Sequence, residues 1–353
     1  MEVPVLKSAI RKKILQITLL VILFALTFWS VFRGEDFHEV LLFLRTADLK
    51  FIIPSILCVF MFIGSEAIII HYLLGKMGKR IRMSHCWLYS FTGFFYSAIT
   101  PSASGGQPMQ ILAMRKDDIP VPVSTVALAV IAITFKLVLV VIGIFVLTIR
   151  PEPIMAHIAH VEGFMYLGLA INVICIAGLF MLVFLPNQIK SIINLLMGIV
   201  SRIRPFKHPE KVSEFLDRLF SQYSGAAEFY RNNKHVILNV FIITFLQRCA
   251  QFLITWFTYC AFHLTAEAPA TVVTLQSMIS VASDVIPLPG GMGVNENMFV
   301  EIFRNVFGDD RVLPAMVISR GISHYTQMII CGVMTMASVF IIKDKTNIHE
   351  SLS

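Results

Sequence analysis

Charge is scarce in this chain: Asp, Glu, Lys and Arg make up 14% of its 353 residues, where a soluble domain carries about a quarter. Hydrophobic residues reach 56% and mean hydropathy is +0.76, which excludes a soluble globular domain. No Gly-x-x-x-x-Gly-Lys-Ser/Thr run occurs, so ATP is not expected to act as the direct energy source within this chain. No His-x-x-x-His or related ligand spacing lies within an apolar stretch, and Asp117-Asp118 and Asp309-Asp310 read as isolated loop pairs. A membrane-embedded lipid-modifying enzyme therefore stays a minor alternative, and no catalytic residue, metal or cofactor is expected. The six cysteines (Cys58, Cys86, Cys175, Cys249, Cys260, Cys331) show no metal spacing and read as buried free thiols. No small-x-small cleavage site follows Phe32. The first apolar run, preceded by Lys7, Arg11, Lys12 and Lys13, thus reads as an uncleaved signal anchor.

What the chain has in abundance is long apolar stretches. Six spans of about 20 residues or more are expected, near 14–32, 51–74, 123–149, 162–185, 236–262 and 312–341. Two further regions are broken by glycine pairs and prolines: Pro101-Ser102-Ala103-Ser104-Gly105-Gly106-Gln107-Pro108 and Pro287-Leu288-Pro289-Gly290-Gly291-Met292-Gly293-Val294-Asn295-Glu296. Their flanking arms, 86–100 with 107–114 and 270–286 with 294–303, are too short to cross a bilayer and read as re-entrant hairpins. The fold class expected is an all-α polytopic membrane protein. With the N-terminus cytoplasmic, twenty Lys and Arg fall inside and six outside, which puts both termini in the cytoplasm of a cell membrane. The net charge of +7 then faces an anionic inner leaflet, and nucleic acid is not implied. The cytoplasmic segment 187–234 carries apolar residues at helical spacing among Lys and Arg. It reads either as a membrane-surface helix or as a solvated connector.

The spacing of these features repeats. Phe51 to Gly105 is 54 positions, as is Val236 to Gly290; Gly106 to Lys136 is 30 and Gly291 to Arg320 is 29. Three spans with one hairpin thus occur twice, over 1–150 (hairpin 86–114) and 151–345 (hairpin 270–303). Because three crossings are odd, the second copy is inverted, so the first hairpin enters from the cytoplasm and the second from outside.

An ionisable side chain at the centre of a span costs at least ~2.5–3.5 kcal/mol on insertion scales, so it faces a cavity or a partner. The candidates are Glu66, Lys136, Arg248, Asp284 and Arg320, with His71, Gln251 and His324 beside them. Thr244, Arg248, Gln251 and Thr255 share one helix face, Arg320, Ser323, His324 and Gln327 a second, and Ala129, Ala132, Lys136 and Gly143 a third. Glu66 or Asp284 could pair with a cation merely to hold helices together. Three cations against these two acids nevertheless leave positive charge, which a phosphate would satisfy. At the tips, Gly105, Gly106, Gln107, Pro287, Gly290, Gly291 and Gly293 expose backbone, and Ser102 and Ser104 either donate to a ligand or cap the restarting helix. Glu296 either satisfies the dipole of the second return arm or neutralises a cation or proton.

The two proline–glycine segments are similar to the most distinctive segments of the flippase-like family typified by the transmembrane region of lysylphosphatidylglycerol synthases, the multiple-peptide-resistance factors. The resemblance covers about residues 10–342. It implies a lipid-translocation unit that moves a phospholipid or a polyprenyl-phosphate-linked lipid between leaflets. The bifunctional synthases carry an aminoacyl-transferase domain after this region; the sequence stops at Ser353, so lysyl transfer is not expected of it. On this reading Lys136, Arg248, Gln251, Arg320 and His324 contact the headgroup, and the glycine tips gate. Glu66, Asp284, Glu296 and His324 are candidate proton carriers. A lipid with an anionic phosphate is the expected partner, with a second copy or a lipid-synthesising enzyme as further candidates. A secondary transporter of a small anion is the alternative.

Overall fold

The computed structural model describes residues 48–100, 103–185, 225, 227–284, 286, 291 and 293–341. The expected span at 14–32, most of segment 187–234, and Ser102, Pro287 and Gly290 lie outside the described residues. The described residues form helices and no strand.

The first described helix, α1 (Leu49–Lys76), starts where the Asp48 carboxylate accepts the Lys50 N–H at 3.0 Å. Two shorter helices follow, α2 (Met83–Ile99) and α3 (Gly106–Arg115), packed on each other across the first glycine pair. Next comes α4 (Val121–Ile149), which begins at Pro120 and Pro122 and ends at Arg150 in the left-handed region (φ 51°). A short α5 (Glu152–Ile158) and a 3-10 turn (Ala159–Val161) lead into α6 (Glu162–Phe184). Beyond the undescribed segment lie α7 (Lys234–Ala261), then the paired arms α8 (Pro269–Ser283) and α9 (Val294–Phe307). The last stretch is α10 (Asp309–Arg320), a π-helical segment (Gly321–Thr326) and α11 (Gln327–Ile341).

Four described stretches are long and apolar enough to cross a membrane: Leu49–Lys76, Val121–Ile149, Glu152–Met181 and Lys234–Ala261. They match the runs expected at 51–74, 123–149, 162–185 and 236–262. The stretch expected as one span at 312–341 is helical but not uniform. It contains Pro314 and the π segment, where the Thr326 hydroxyl donates to the Gly321 carbonyl at 2.9 Å. A π turn leaves no mark in the spacing of apolar residues, so the sequence read it as one helix.

Helix α1 packs along α7, and three polar contacts fix their sense. The Asp48 N–H reaches the Ala261 carbonyl (3.4 Å), the Gln247 amide donates to the Phe62 carbonyl (2.8 Å), and the Asn239 amide donates to the Tyr72 hydroxyl (2.9 Å). Early residues of one helix meet late residues of the other, so the pair is antiparallel. The buried apolar side chains divide along α4. Val126, Leu128, Val130 and Ile133 share a cluster with Cys86, Tyr89 and Met114 at the outer ends of α2 and α3. Leu139, Val146 and Leu147 share another with Val272, Leu275, Phe303 and Val306 at the outer ends of α8 and α9. The bases of the two hairpins thus lie toward opposite ends of α4, and Lys136 falls in the stretch between the clusters.

Candidate functional site

Four helices meet at the break between those clusters, because α6 can approach α8 closely. Gly168 makes this approach: a Cβ there would sit 2.4 Å from the Val281 carbonyl oxygen and 2.6 Å from the Ala282 Cα. One turn on, buried Asn172 donates from Nδ2 to the Gly168 carbonyl (3.0 Å) and the Val281 carbonyl (3.1 Å). Its Oδ1 is left to accept from Lys136 Nζ on α4, at 3.4 Å. Gly143, two turns further along the same face of α4, lies against Leu169 and Val281, as the small-residue face around the lysine anticipated.

Asp284 closes α8 and stands just before the second glycine pair. Its Oδ2 lies 2.7 Å from Lys136 Nζ, and its Oδ1 lies 3.7 Å from Arg248 Nη2 on α7. Arg248 is 4% exposed; Nη1 donates to Gln251 (2.9 Å), and the guanidinium lies 3.5 Å from the Phe135 ring centroid. Its Nε and Nη2 have no hydrogen-bond partner. Two cations therefore share one carboxylate, and among the described residues no other acid lies within 4 Å of either. The cluster carries a net positive charge in a low-dielectric setting, where such charge calls for an anion.

The remaining face of α7 holds the helices around this cluster. Thr244 meets Thr134 at 3.5 Å, and Thr255 bonds both Gln276 (3.0 Å) and Ser319 (2.9 Å). Thr244, Arg248 and Thr255 are buried and Gln251 half-buried, so the one-face pattern holds.

Arg320 is placed elsewhere. Its Nε donates to Glu296 Oε1 at 2.8 Å, while Glu296 Oε2 accepts the Gly293 N–H at 2.6 Å. Glu296 thus joins the start of α9 to a cation on α10. Gly293 holds φ 82° there, a conformation that favours glycine. Of the ion pairs weighed for Glu66 and Asp284, the structure forms those of Asp284 with Lys136 and Arg248, while Arg320 pairs with Glu296 on α9, the return arm of the second hairpin. His324, one turn on, stacks edge-on against Tyr325 and buries an Nε2 with no hydrogen-bond partner.

Glu66 also has a partner other than a cation. The Gln110 amide on α3 donates to it at 2.6 Å, with both side chains buried. Gln110 is held against Gly93, where a Cβ would come within 2.2 Å of its amide nitrogen. At the first tip, α3 starts from Gly105 without a side-chain cap, so of the two roles weighed for Ser104 the cap is not formed. The Gly105 N–H goes instead to the Thr100 hydroxyl (2.9 Å), and Ser104 and Gln107 are exposed. Gly106 is buried against Ser97 and the Gly93 carbonyl, and Gly291 has φ 66°.

Asp117, read as part of an isolated pair, is not isolated: it accepts from Tyr89 and lies 2.8 Å from His85 Nδ1, tying the base of α2 to the end of α3. Sequence reasoning missed Asn172, Phe135, Gln110, Gly93, Gly168 and Thr100. Asn172 had a usable signal, as a lone amide within a 23-residue helix of otherwise apolar character. The others act through close approach or stacking, which linear spacing does not show.

Among the described residues no group of three or more His, Cys, Asp or Glu could hold a metal ion. A family model described as the lysylphosphatidylglycerol synthase TM region matches residues 14–331. No curated protein sequence matches the chain.

Proposed function

The chain belongs to the lysylphosphatidylglycerol synthase transmembrane-region family, and on that footing we propose that it is an integral membrane lipid transporter. It moves a phospholipid or polyprenyl-phosphate-linked lipid between leaflets of the cell membrane, with both termini cytoplasmic, and performs no chemistry on it. The observation that carries the reading is the Lys136–Asp284–Arg248 cluster, where two cations share one carboxylate and a buried guanidinium keeps two nitrogens without hydrogen bonds. A lipid phosphate meets that demand while its acyl chains stay in the bilayer. The antiparallel α1 and α7, which start at matched positions in the two proposed repeats, support an inverted duplication. So do hairpin bases at opposite ends of α4. The proposed repeats are 1–150 and 151–345, their hairpins re-entrant from opposite faces. Their tips act as gates, and Glu66, Asp284, Glu296 and His324 are available for ion coupling.

Reconstituted vesicles test this. Wild type is expected to exchange a labelled phospholipid between leaflets, and Lys136→Ala or Arg248→Ala to abolish exchange while eluting as a folded protein. Exchange unchanged in both variants removes the proposed site. Uptake of a soluble anion without lipid exchange would assign the cluster to a small-anion transporter instead.

A further inference from the structure

Asp284 is the unusual member of the cluster, because it reduces a two-cation site to a single positive charge. We propose that Asp284 is a specificity-determining residue that sets the charge of the accepted headgroup, selecting a monoanionic phosphodiester over a dianionic phosphomonoester. This rests on the reading of the cluster as the phosphate site and adds the class of phosphate.

The argument is one of charge balance under burial. Arg248 is 4% exposed, and the Lys136 and Asp284 side chains are 21% and 23% exposed, so water screens the cluster poorly. Lys136 and Arg248 supply two positive charges and Asp284 removes one. Asn172 and Gln251 add hydrogen bonds without charge. A phosphodiester carries a single negative charge and brings the sum to zero. A phosphomonoester above its second ionisation, near pH 6, carries about two and leaves a buried negative charge unbalanced. Geometry keeps Asp284 in place for this: it ends α8, where Gly168 and Asn172 lock the neighbouring Val281 carbonyl to α6. Its oxygens are divided between the two cations, so neither cation is fully satisfied and both remain available to the ligand. Arg248 Nε and Nη2, buried and without hydrogen bonds, are the donors left over for phosphate oxygens.

The test is competition binding to the purified full chain in neutral-lipid nanodiscs at pH 8. The probes are phosphatidylglycerol, a phosphodiester, and phosphatidic acid, a phosphomonoester, with matched acyl chains. Wild type is expected to prefer phosphatidylglycerol by about tenfold or more, since an unbalanced buried charge is strongly disfavoured. Asp284→Asn raises the site to two positive charges and should reverse the order, whereas Asp284→Glu should keep it. Wild type alone supplies a second readout should Asp284→Asn not fold. Its preference should shrink as pH falls below 6, where both headgroups carry one charge.

Equal binding of the two lipids by wild type at pH 8, or an unchanged order in folded Asp284→Asn, overturns the charge selection while leaving the phosphate site standing. Binding unaffected by Lys136→Ala and Arg248→Ala overturns the phosphate site itself, and the selection with it. Glycerophosphoglycerol, the headgroup without acyl chains, separates the sources. If it competes as well as the intact lipid, the site is one for a soluble phosphodiester, and the lipid reading falls while the charge rule holds.

Discussion

At the scale of residues, each buried charge on a span or hairpin arm has a partner, and the partners decide which charges are free to act. Glu66 is occupied by Gln110, and Arg320 is paired with Glu296. The unbalanced positive charge resides at Lys136 and Arg248. The sequence made the five charged residues within apolar stretches legible, because their cost in hydrocarbon singles them out. It did not make their pairing legible, because pairing depends on which helix faces which. Glu296 illustrates the difference, since it bonds the Gly293 N–H that caps its own helix and a cation 24 positions away at once. Arg320→Met and Glu296→Ala both remove the pair, and Glu296→Ala also removes the bond to Gly293. The expected losses therefore differ, with Glu296→Ala costlier by about 1 kcal/mol, the usual size of a lost cap. A double-mutant cycle read by denaturant unfolding in detergent should give a coupling of about 1–3 kcal/mol. Additive losses would mean that the two side chains do not interact in solution.

At the scale of elements, apolar runs located the helices well. The expected 51–74 and 236–262 became Leu49–Lys76 and Lys234–Ala261, and the broken arms became α2 with α3 and α8 with α9. The glycine pairs were legible as breaks, but what each glycine does was not. Gly105 caps α3, while Gly106 is a crossing point, where a Cβ would lie 2.0 Å from Ser97 Oγ and 2.7 Å from the Gly93 carbonyl. Gly106→Ala should therefore destabilise by about 1–3 kcal/mol, the usual range for overpacking. Gly178→Ala on α6 meets nothing within 4 Å and should leave the melting temperature unchanged or slightly higher, as alanine favours helix. Equal shifts for the two variants would contradict the close crossing of α2 and α3. The π segment after Arg320 had no signal in the sequence, since its apolar positions fit an ordinary helix equally well.

For the whole molecule, the architecture follows from where charge is tolerated. Basic residues crowd the loops on one side in the expected topology, and apolar clusters fill the two ends of α4. The polar cluster is placed between them by the close approach of α6 to α8 and by the tip of the second hairpin. Three carboxylate–cation pairs involve that hairpin, two through Asp284 at the end of its first arm and one through Glu296 on its second. The first hairpin is held by an amide–carboxylate bond, by glycine crossings and, at its base, by Asp117 with Tyr89 and His85. The proposed duplication is thus closely matched in spacing and unequal in charge. An anion entering the cluster would act directly on the second hairpin through Asp284, and on the first only through the surrounding packing.

The most direct test of the account is a structure of the full chain in phospholipid nanodiscs, at a resolution that separates headgroups from acyl chains. The account predicts phosphate density within hydrogen-bond reach, about 3 Å, of Lys136 Nζ and the Arg248 guanidinium. A cluster filled only by Asp284, with every headgroup confined to the two membrane surfaces under turnover conditions, would contradict it.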